Sequence, residues 1–190
     1  MIPKGDVSLG ILAGGRASRL GGVDKAFAIH AGQPLLVRSL GFAGRGFRET
    51  LVSYNGSDPR VWEPGVVVVP DLRPNRPGPL AAIEALLLAC TGSWLLTFPV
   101  DLRALPEHVF VRMMTLALQP AGGQGVVIAD ADGLQPLVAL WPVVGSRAVA
   151  SDSLDNGELA ARDLVQRLAF ACCDISPFRL GNLNTPADFG

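Results

Sequence analysis

Residues 11–25, ILAGGRASRLGGVDK, are the stretch that decides the fold, and they overlap the end of a mostly apolar run over residues 7–13. That run predicts a buried parallel strand. Four glycines and three cationic side chains then lie within twelve residues. Glycine pairs adopt positive φ and let a backbone approach a bulky ligand closely. Their amides, with arginine and lysine charges nearby, form an anion-binding concavity, and a polyphosphate fits this pattern best.

A second interpretation is an ordinary strand-to-helix connection, in which the glycines only turn the chain and the arginines are solvated. The density of glycines and cations directly after one strand favours the phosphate loop. Two common phosphate motifs are absent from this stretch. The spacing G-x-G-x-x-G does not occur, so a dinucleotide fold is not indicated. The Walker spacing fails because Lys25 follows Asp24 and precedes Ala26.

The length of 190 residues indicates one compact domain over residues 1–190 that buries roughly 70% of its unfolded surface. A net charge of −1 gives no electrostatic footprint for nucleic acid or an anionic membrane. Only Lys4 and Lys25 of the 16 basic residues are lysines, so Lys25 is less readily explained as generic surface charge. A hydrophobic content of 49% suits a parallel sheet that is covered by helices on both faces.

The three cysteines, Cys90, Cys172 and Cys173, have no zinc-type spacing. We expect reduced thiols in a cytoplasmic protein. The apolar run near the N-terminus is too short and too broken for a signal peptide, and no run reaches the length of a membrane span.

Strand-like and helix-like segments alternate along the chain, which predicts a doubly wound α/β fold with a mostly parallel, Rossmann-like sheet. We expect strands at residues 7–13, 26–29, 49–54, 65–70, 94–98, 125–129, 135–141 and 169–174, and helices at 34–44, 79–90, 106–118 and 157–168. The turn between residues 129 and 135 is too short for a parallel crossover. One strand of the sheet is therefore expected to be antiparallel.

Polar clusters follow three of the predicted strands: the glycine-rich stretch, Asp71 and Asp101. Ligands of such folds bind at the carboxyl ends of the strands, so these clusters indicate one site. A single carboxylate, completed by phosphate oxygens and water, is a common way to hold Mg²⁺, which favours Asp101 as a metal ligand. The alternative role as a helix cap is weak because the next predicted helix begins several residues later.

At this point the chain resembles a known family. LAGGRASRLGGVDK is similar to the signature loop of the molybdenum cofactor guanylyltransferases, within the nucleotide-diphospho-sugar-type nucleotidyltransferases, which share L-A-G-G-x-x-x-R-x-G. The ending GG-x-DK points to the molybdopterin branch. Four further segments resemble the family in the same order: DLRPNRPGPLAAI (residues 71–83), FPVDLRALP (98–106), QPLVALW (135–141) and GNLNTPADF (181–189).

The resemblance implies three sets of site residues. Lys25, Arg19 and Asp101 would be catalytic, and Asp101 would hold Mg²⁺. The nucleotide would be bound by Leu12, Ala13, Gly14, Gly15, Arg16, Lys25, Ser53, Asn55, Asp71, Gly78, Pro79, Leu80 and Asp101. The pterin substrate would contact Arg162, Asn182 and Asn184.

The implied reaction is transfer of GMP from GTP to molybdopterin, or to its molybdenum-loaded form, with release of pyrophosphate. The acceptor's own phosphate is the nucleophile, so catalysis requires positioning and charge neutralisation instead of a catalytic triad. Other molybdenum cofactor biosynthesis proteins or acceptor-enzyme chaperones are expected partners, and nucleic acid is not.

Departures from the family pattern leave alternatives open. Ser53 stands where the family has the first asparagine of N-x-N, Gln135 replaces a histidine, Val100 replaces a cysteine, and Arg103 stands where proline is common. A related enzyme using CTP or a sugar phosphate, or a nucleotide-binding homologue without turnover, would fit these changes. The retained lysine and metal aspartate argue against loss of activity.

Overall fold

The computed structural model describes residues 1–14, 24–61, 64–73, 78–120, 123–184 and 186–189. Its strands are β1 Val7–Leu12, β2 Ile29–His30, β3 Gln33–Pro34, β4 Thr50–Ser53, β5 Val66–Val69, β6 Trp94–Pro99, β7 Val126–Asp130, β8 Gly133–Pro142 and β9 Ala171–Asp174. Within this part of the chain, seven strands form one sheet in the spatial order β5-β4-β1-β6-β8-β7-β9. Strands β2 and β3 form a separate hairpin.

The sheet is parallel except at β8. Strand β1 lies between β4 and β6 and is parallel to both, and β4 is parallel to β5. Strand β8 runs antiparallel to β6 and β7, while β7 and β9 are parallel. The two-residue connection from β7 to β8 permits only an antiparallel hairpin. The predicted doubly wound, mostly parallel fold with one antiparallel strand is confirmed.

Helices cover both faces of the sheet. Their bounds are α1 Leu35–Ala43, α2 Pro79–Ala89, α3 Glu107–Leu116, α4 Val143–Asp155 and α5 Ala161–Arg167, with short 3-10 helices at Lys4–Asp6, Lys25–Phe27, Pro59–Val61 and Pro186–Phe189. Buried side chains of α1 and α3 pack on one face, and those of α2, α4 and α5 pack on the other. None of the helices in the described ranges has the length and apolar character needed to cross a membrane.

Strand β1 shows why the strands are apolar throughout. All six of its residues are buried, because successive side chains point to opposite faces and both faces are covered. Ile11 packs in the α1/α3 layer, whereas Leu12 packs in the α2 layer. A Cβ on Gly10 would lie 3.1 Å from Cδ1 of both Leu86 and Leu95, so the glycine allows α2 to pack closely on this strand.

Two predicted elements were wrong. Residues 26–28 do not form a strand, because the Asp24 carboxylate accepts a hydrogen bond from the Ala26 amide at 3.1 Å and caps a 3-10 helix, and Ile29 belongs to the short strand β2. The helix predicted over residues 157–168 begins only at Ala161, and helix α4 was not predicted at all. Helix α4 opens with two valines and a glycine, which have weak helix propensity. Its burial against α2 overrides that local preference.

Helix α2 provides a test of this packing. Leu86 is fully buried against the sheet, whereas Leu88 is 47% exposed on the same helix. We expect Leu86→Ala to lower the free energy of unfolding by about 2–5 kcal/mol through lost burial and a residual cavity. The control Leu88→Ala, which makes the same chemical change, should cost no more than about 0.5 kcal/mol. Urea denaturation measures both, and equal losses would contradict the placement of α2.

Candidate active site at the carboxyl edge of the sheet

The carboxyl ends of β1, β4, β5 and β6 lie side by side. Leu12 is level with Ser53 on one side and with Pro99 on the other. Ladder-like hydrogen bonds continue past the strand ends: the Val100 amide donates to the Leu12 carbonyl at 3.0 Å, and the Ala13 amide donates to the Ser53 carbonyl at 3.1 Å. The polar residues that follow these strands therefore share one edge, as predicted from parallel strands.

Three predicted site residues meet at this edge. The Lys25 ammonium forms an ion pair with the Asp101 carboxylate, and it donates to the Asn184 side-chain oxygen at 2.6 Å. The Lys25 and Asp101 side chains are 20% and 14% exposed. Partial burial of this kind makes an ion pair less sensitive to screening by salt than a surface pair. We call these three residues the Lys25 cluster.

The C-terminal segment, residues 180–184, completes the Lys25 cluster by pairing with residues 101–104. The Leu183 amide donates to the Asp101 carbonyl at 2.8 Å, the Arg103 amide donates to the Gly181 carbonyl at 3.0 Å, and Leu102 and Asn182 form a β-bridge. This pairing brings Asn182 and Asn184, the predicted pterin-binding asparagines, next to Asp101.

Asp130 and Asp188 hold the C-terminal segment in place, and neither role was predicted. The buried Asp130 carboxylate accepts from the Leu180 amide at 2.9 Å. The Asp188 carboxylate accepts from the Asn184 amide at 3.0 Å and pairs with Arg103. A carboxylate directly after a predicted strand was the available signal for Asp130. Nothing local in the sequence points to Asp188 as the partner of Arg103.

Ser53, Asn55 and Asp71 form a second polar group at the ends of β4 and β5. The Asn55 side chain donates to the Asp71 carboxylate at 2.8 Å and accepts from the Asp71 amide at 2.7 Å. The Ser53 hydroxyl, which is fully buried, donates to Asp71 at 3.5 Å. These bonds brace the two strand ends together. Nucleotide binding by the three residues remains a prediction.

Arg73 anchors the start of the loop after β5, and the sequence analysis missed it. Its guanidinium makes a two-pronged contact with the buried Glu84 carboxylate at 2.9 Å for each bond and also donates to Ser151 at 2.9 Å. Arg73 is thereby tied to α2 and α4. The signal was available, because Glu84 is the single charged residue in the apolar helix Pro79–Ala89.

The turn before α2 is shaped by Gly78. Its φ of +141° is a conformation that favours glycine, and a Cβ there would lie 3.2 Å from the Leu159 carbonyl oxygen. Pro79 occupies the first turn of α2, whereas the Leu80 side chain is buried in the core. The glycine therefore permits a close approach to Leu159, and nucleotide binding by Gly78, Pro79 and Leu80 remains a prediction.

The remaining predicted site residues are placed as follows. Leu12 and Ala13 are buried at the end of β1, and Gly14 is exposed beyond it. Arg162 is exposed in the first turn of α5, and within the described ranges it forms no hydrogen bond or ion pair with the Lys25 cluster. Gly15, Arg16 and Arg19 lie outside the described residues.

The oxygens of the Lys25 cluster suit a hard cation. The Asp101 carboxylate and the Asn184 amide oxygen converge on one ammonium nitrogen, so this position attracts positive charge. No cluster of three or more His, Cys, Asp or Glu side chains with metal-binding geometry is found among the described residues. A donor set with one carboxylate fits a cation whose other ligands are phosphate oxygens and water, as for Mg²⁺.

Comparison with known proteins finds relatives of this chain. The family model described as "MobA-like NTP transferase domain" matches residues 9–171. A molybdenum cofactor guanylyltransferase of Ralstonia nicotianae is 39% identical over 124 residues, which are 65% of this chain and 60% of that protein. A molybdenum cofactor guanylyltransferase of Pseudomonas fluorescens is 30% identical over 182 residues, 93% of this chain and 88% of that protein.

A similar solved structure supports the fold. The molybdopterin-guanine dinucleotide biosynthesis protein A of Archaeoglobus fulgidus superposes with a TM-score of 0.76 at 17% identity, over 96% of this chain and 94% of that one. The family match covers more than half of the chain and includes the whole of residues 11–25. The resemblance that this stretch carried is thus confirmed, and the chain belongs to the family of the MobA-like NTP transferase domain.

Proposed function

We propose that this protein transfers GMP from GTP to the terminal phosphate of molybdopterin, or of its molybdenum-loaded form, and releases pyrophosphate. The observation that carries the proposal is the Lys25 cluster at the carboxyl edge, where a lysine that ends the glycine-rich stretch meets an aspartate at the end of β6. The names of the relatives from Ralstonia nicotianae and Pseudomonas fluorescens support the choice of substrates.

Lys25 is the residue that binds the triphosphate in this proposal. Its ammonium is neutralised by Asp101 in the structure. A triphosphate carries more negative charge than one carboxylate and offers charge-assisted hydrogen bonds to the same ammonium. Arg19 would add a second cation, as the sequence pattern implies. Charge on the triphosphate would then be balanced where the bond between the α- and β-phosphates breaks.

Asp101 is the proposed ligand of Mg²⁺. When Lys25 turns towards phosphate, the Asp101 carboxylate, whose side chain is 14% exposed, loses its cationic partner. A partly buried carboxylate in that position favours a new positive charge. Bound Mg²⁺ would supply neutralisation of the charge that develops on phosphate oxygens.

The acceptor is proposed to bind beside the C-terminal segment. Asn182 and Asn184 are exposed and lie next to Asp101 through the pairing of residues 180–184 with residues 101–104. Amide side chains of this kind both donate and accept hydrogen bonds, which suits a pterin ring. A contact between Arg162 and the acceptor phosphate remains a prediction that comes from the resemblance alone.

The nucleotide base is proposed to bind near Ser53, Asn55 and Asp71 and to contact backbone groups of Leu12, Ala13 and residues 78–80. Because Ser53 is buried and directed at Asp71, it offers the base less than an exposed asparagine would. One neutral hydrogen bond is worth about 0.5–1.5 kcal/mol, so its loss weakens guanine preference by about tenfold or less. We also propose a cytoplasmic setting, with which the three free cysteines are compatible.

Pyrophosphate release measures the proposed reaction directly. With Mg²⁺ and molybdopterin present, we expect GTP to support pyrophosphate release ahead of CTP and ATP, and omission of the acceptor should abolish it. Faster release with CTP would replace this assignment with a cytidylyltransferase. Tight GTP binding without any release would indicate a nucleotide-binding homologue that lacks turnover.

Substitution of Asp101 tests the metal role. Asp101→Asn keeps the size of the side chain but removes its charge, so we expect the turnover number to fall by about 100-fold or more at saturating Mg²⁺. The control Asp152→Asn, on the exposed side of α4, should leave turnover unchanged. Near wild-type turnover of Asp101→Asn would remove this residue from the mechanism.

A further inference from the structure

Tyr54, the residue directly after β4, has no role in the proposed reaction as described above, but it contacts residues on both sides of Lys25. Its side chain is only 4% exposed. Its ring meets the Phe27 ring edge to face, with centroids 5.8 Å apart and an interplanar angle of 82°. The Asp24 carboxylate and the Asp58 backbone N–H are close enough to the hydroxyl to act on its pKa, which Asp24 raises and the Asp58 N–H lowers.

Asp24 and Phe27 flank Lys25 in the chain. Asp24 caps the 3-10 helix Lys25–Phe27 through its bond to the Ala26 amide, and Phe27 is buried in the core. A three-residue helix has little stability of its own. The direction of the Lys25 side chain therefore depends on Asp24 and Phe27, and Tyr54 contacts both residues.

The loop after Tyr54 closes around its hydroxyl. A Cβ built on Gly56 would lie 2.3 Å from the Tyr54 hydroxyl oxygen, so a side chain at position 56 would displace that oxygen. The Arg60 guanidinium lies 4.3 Å from the Phe27 ring centroid and pairs with Asp58 at 2.6 Å. Residues 56–60 therefore pack against the Tyr54 hydroxyl and the Phe27 ring.

We propose that Tyr54 is a positioning residue for Lys25: its hydroxyl fixes Asp24 and its ring fixes Phe27, so that the Lys25 ammonium is held towards Asp101 and the triphosphate. The inference rests on the proposed function, in which Lys25 binds triphosphate. Tyr54 itself touches no substrate. Loss of its hydroxyl acts through Lys25 and should therefore weaken contacts to the β- and γ-phosphates alone.

Titration of Tyr54 tests the buried contact with Asp24. The pKa of Tyr54 is raised from 10.0 to about 12. Burial is the largest cause, and the hydrogen bond and charge of Asp24 add to it. The Asp58 charge raises this pKa further, and the Asp58 backbone N–H opposes the shift. Among the described residues, Arg60 is a cation whose charge acts on Asp24, on Asp58 and on the ionised form of Tyr54. The folded state thus holds this proton more tightly than the unfolded state.

Tyr54 is the only tyrosine of the chain, so tyrosinate absorbance reports on it alone. We expect little absorbance change at pH 10 in the folded protein and a half-ionised tyrosine at about pH 10 in urea. The stability contributed by this pKa shift is fully present below about pH 10 and is lost as the pH rises towards 12. Asp24→Asn should lower the midpoint part of the way. A folded protein that titrates near pH 10 would overturn the contact and the proposal.

A double-mutant cycle tests the positioning role. Calorimetry of GTP and GMP binding is compared for the wild type, Tyr54→Phe, Lys25→Ala and the double variant. Tyr54→Phe removes one oxygen and keeps the ring, so we expect GTP affinity to fall about threefold to tenfold while GMP affinity is unchanged. In the Lys25→Ala background the same substitution should change GTP affinity by less than about twofold.

The outcomes of the cycle separate the two proposals. Three results would overturn the positioning role alone. Tyr54→Phe could leave GTP affinity unchanged, or it could lower GMP affinity as much as GTP affinity. It could also lower GTP affinity as strongly in the Lys25→Ala background as in the wild type. A wild-type protein that binds no nucleoside triphosphate would overturn the proposed function and this inference with it. Should Tyr54→Phe fail to fold, the titration of the wild type and of Asp24→Asn still decides whether the contact exists.

Discussion

The ion pair between Lys25 and Asp101 is the contact on which the arrangement of the site depends. It joins the end of the glycine-rich stretch to the end of β6, and Asn184 ties the C-terminal segment to the same ammonium. Because both charged side chains are largely withdrawn from solvent, each would be unfavourable without the other or without a ligand of matching charge. The ion pair therefore stabilises the site without a ligand, and in the proposed function a polyphosphate replaces Asp101 as the partner of Lys25.

Much of the fold could be predicted from sequence because parallel strands buried on both faces are apolar throughout. Strand β1 is the clearest instance, since its six buried residues lead directly into Gly14. Helix α4 could not be predicted in the same way. Its local sequence is a poor helix former, and packing against other elements, chiefly α2, which is distant in the chain, stabilises it. The strand expected at residues 26–29 failed because one cap, Asp24, decides the local conformation.

Some contacts of the site could be predicted from sequence and others could not, for the same reason as in the fold. Lys25 and Asp101 were predictable because each follows a strand, and parallel strands end at one edge of the sheet. Asn184 was found only through the resemblance to a family. Other contacts of the site region join residues from separate segments of the chain. They are the ion pair of Arg73 with Glu84, the ion pair of Arg103 with Asp188, and the contact of Tyr54 with Asp24. Pairings of that kind leave no periodic pattern in the chain.

A crystal structure of the protein with Mg²⁺ and a non-hydrolysable GTP analogue tests the central claim most directly. The account predicts that the Lys25 ammonium leaves Asp101 and lies within hydrogen-bonding distance of a phosphate oxygen, while Asp101 faces the metal. An intact ion pair between Lys25 and Asp101, with the bound triphosphate directed away from both residues, would contradict it.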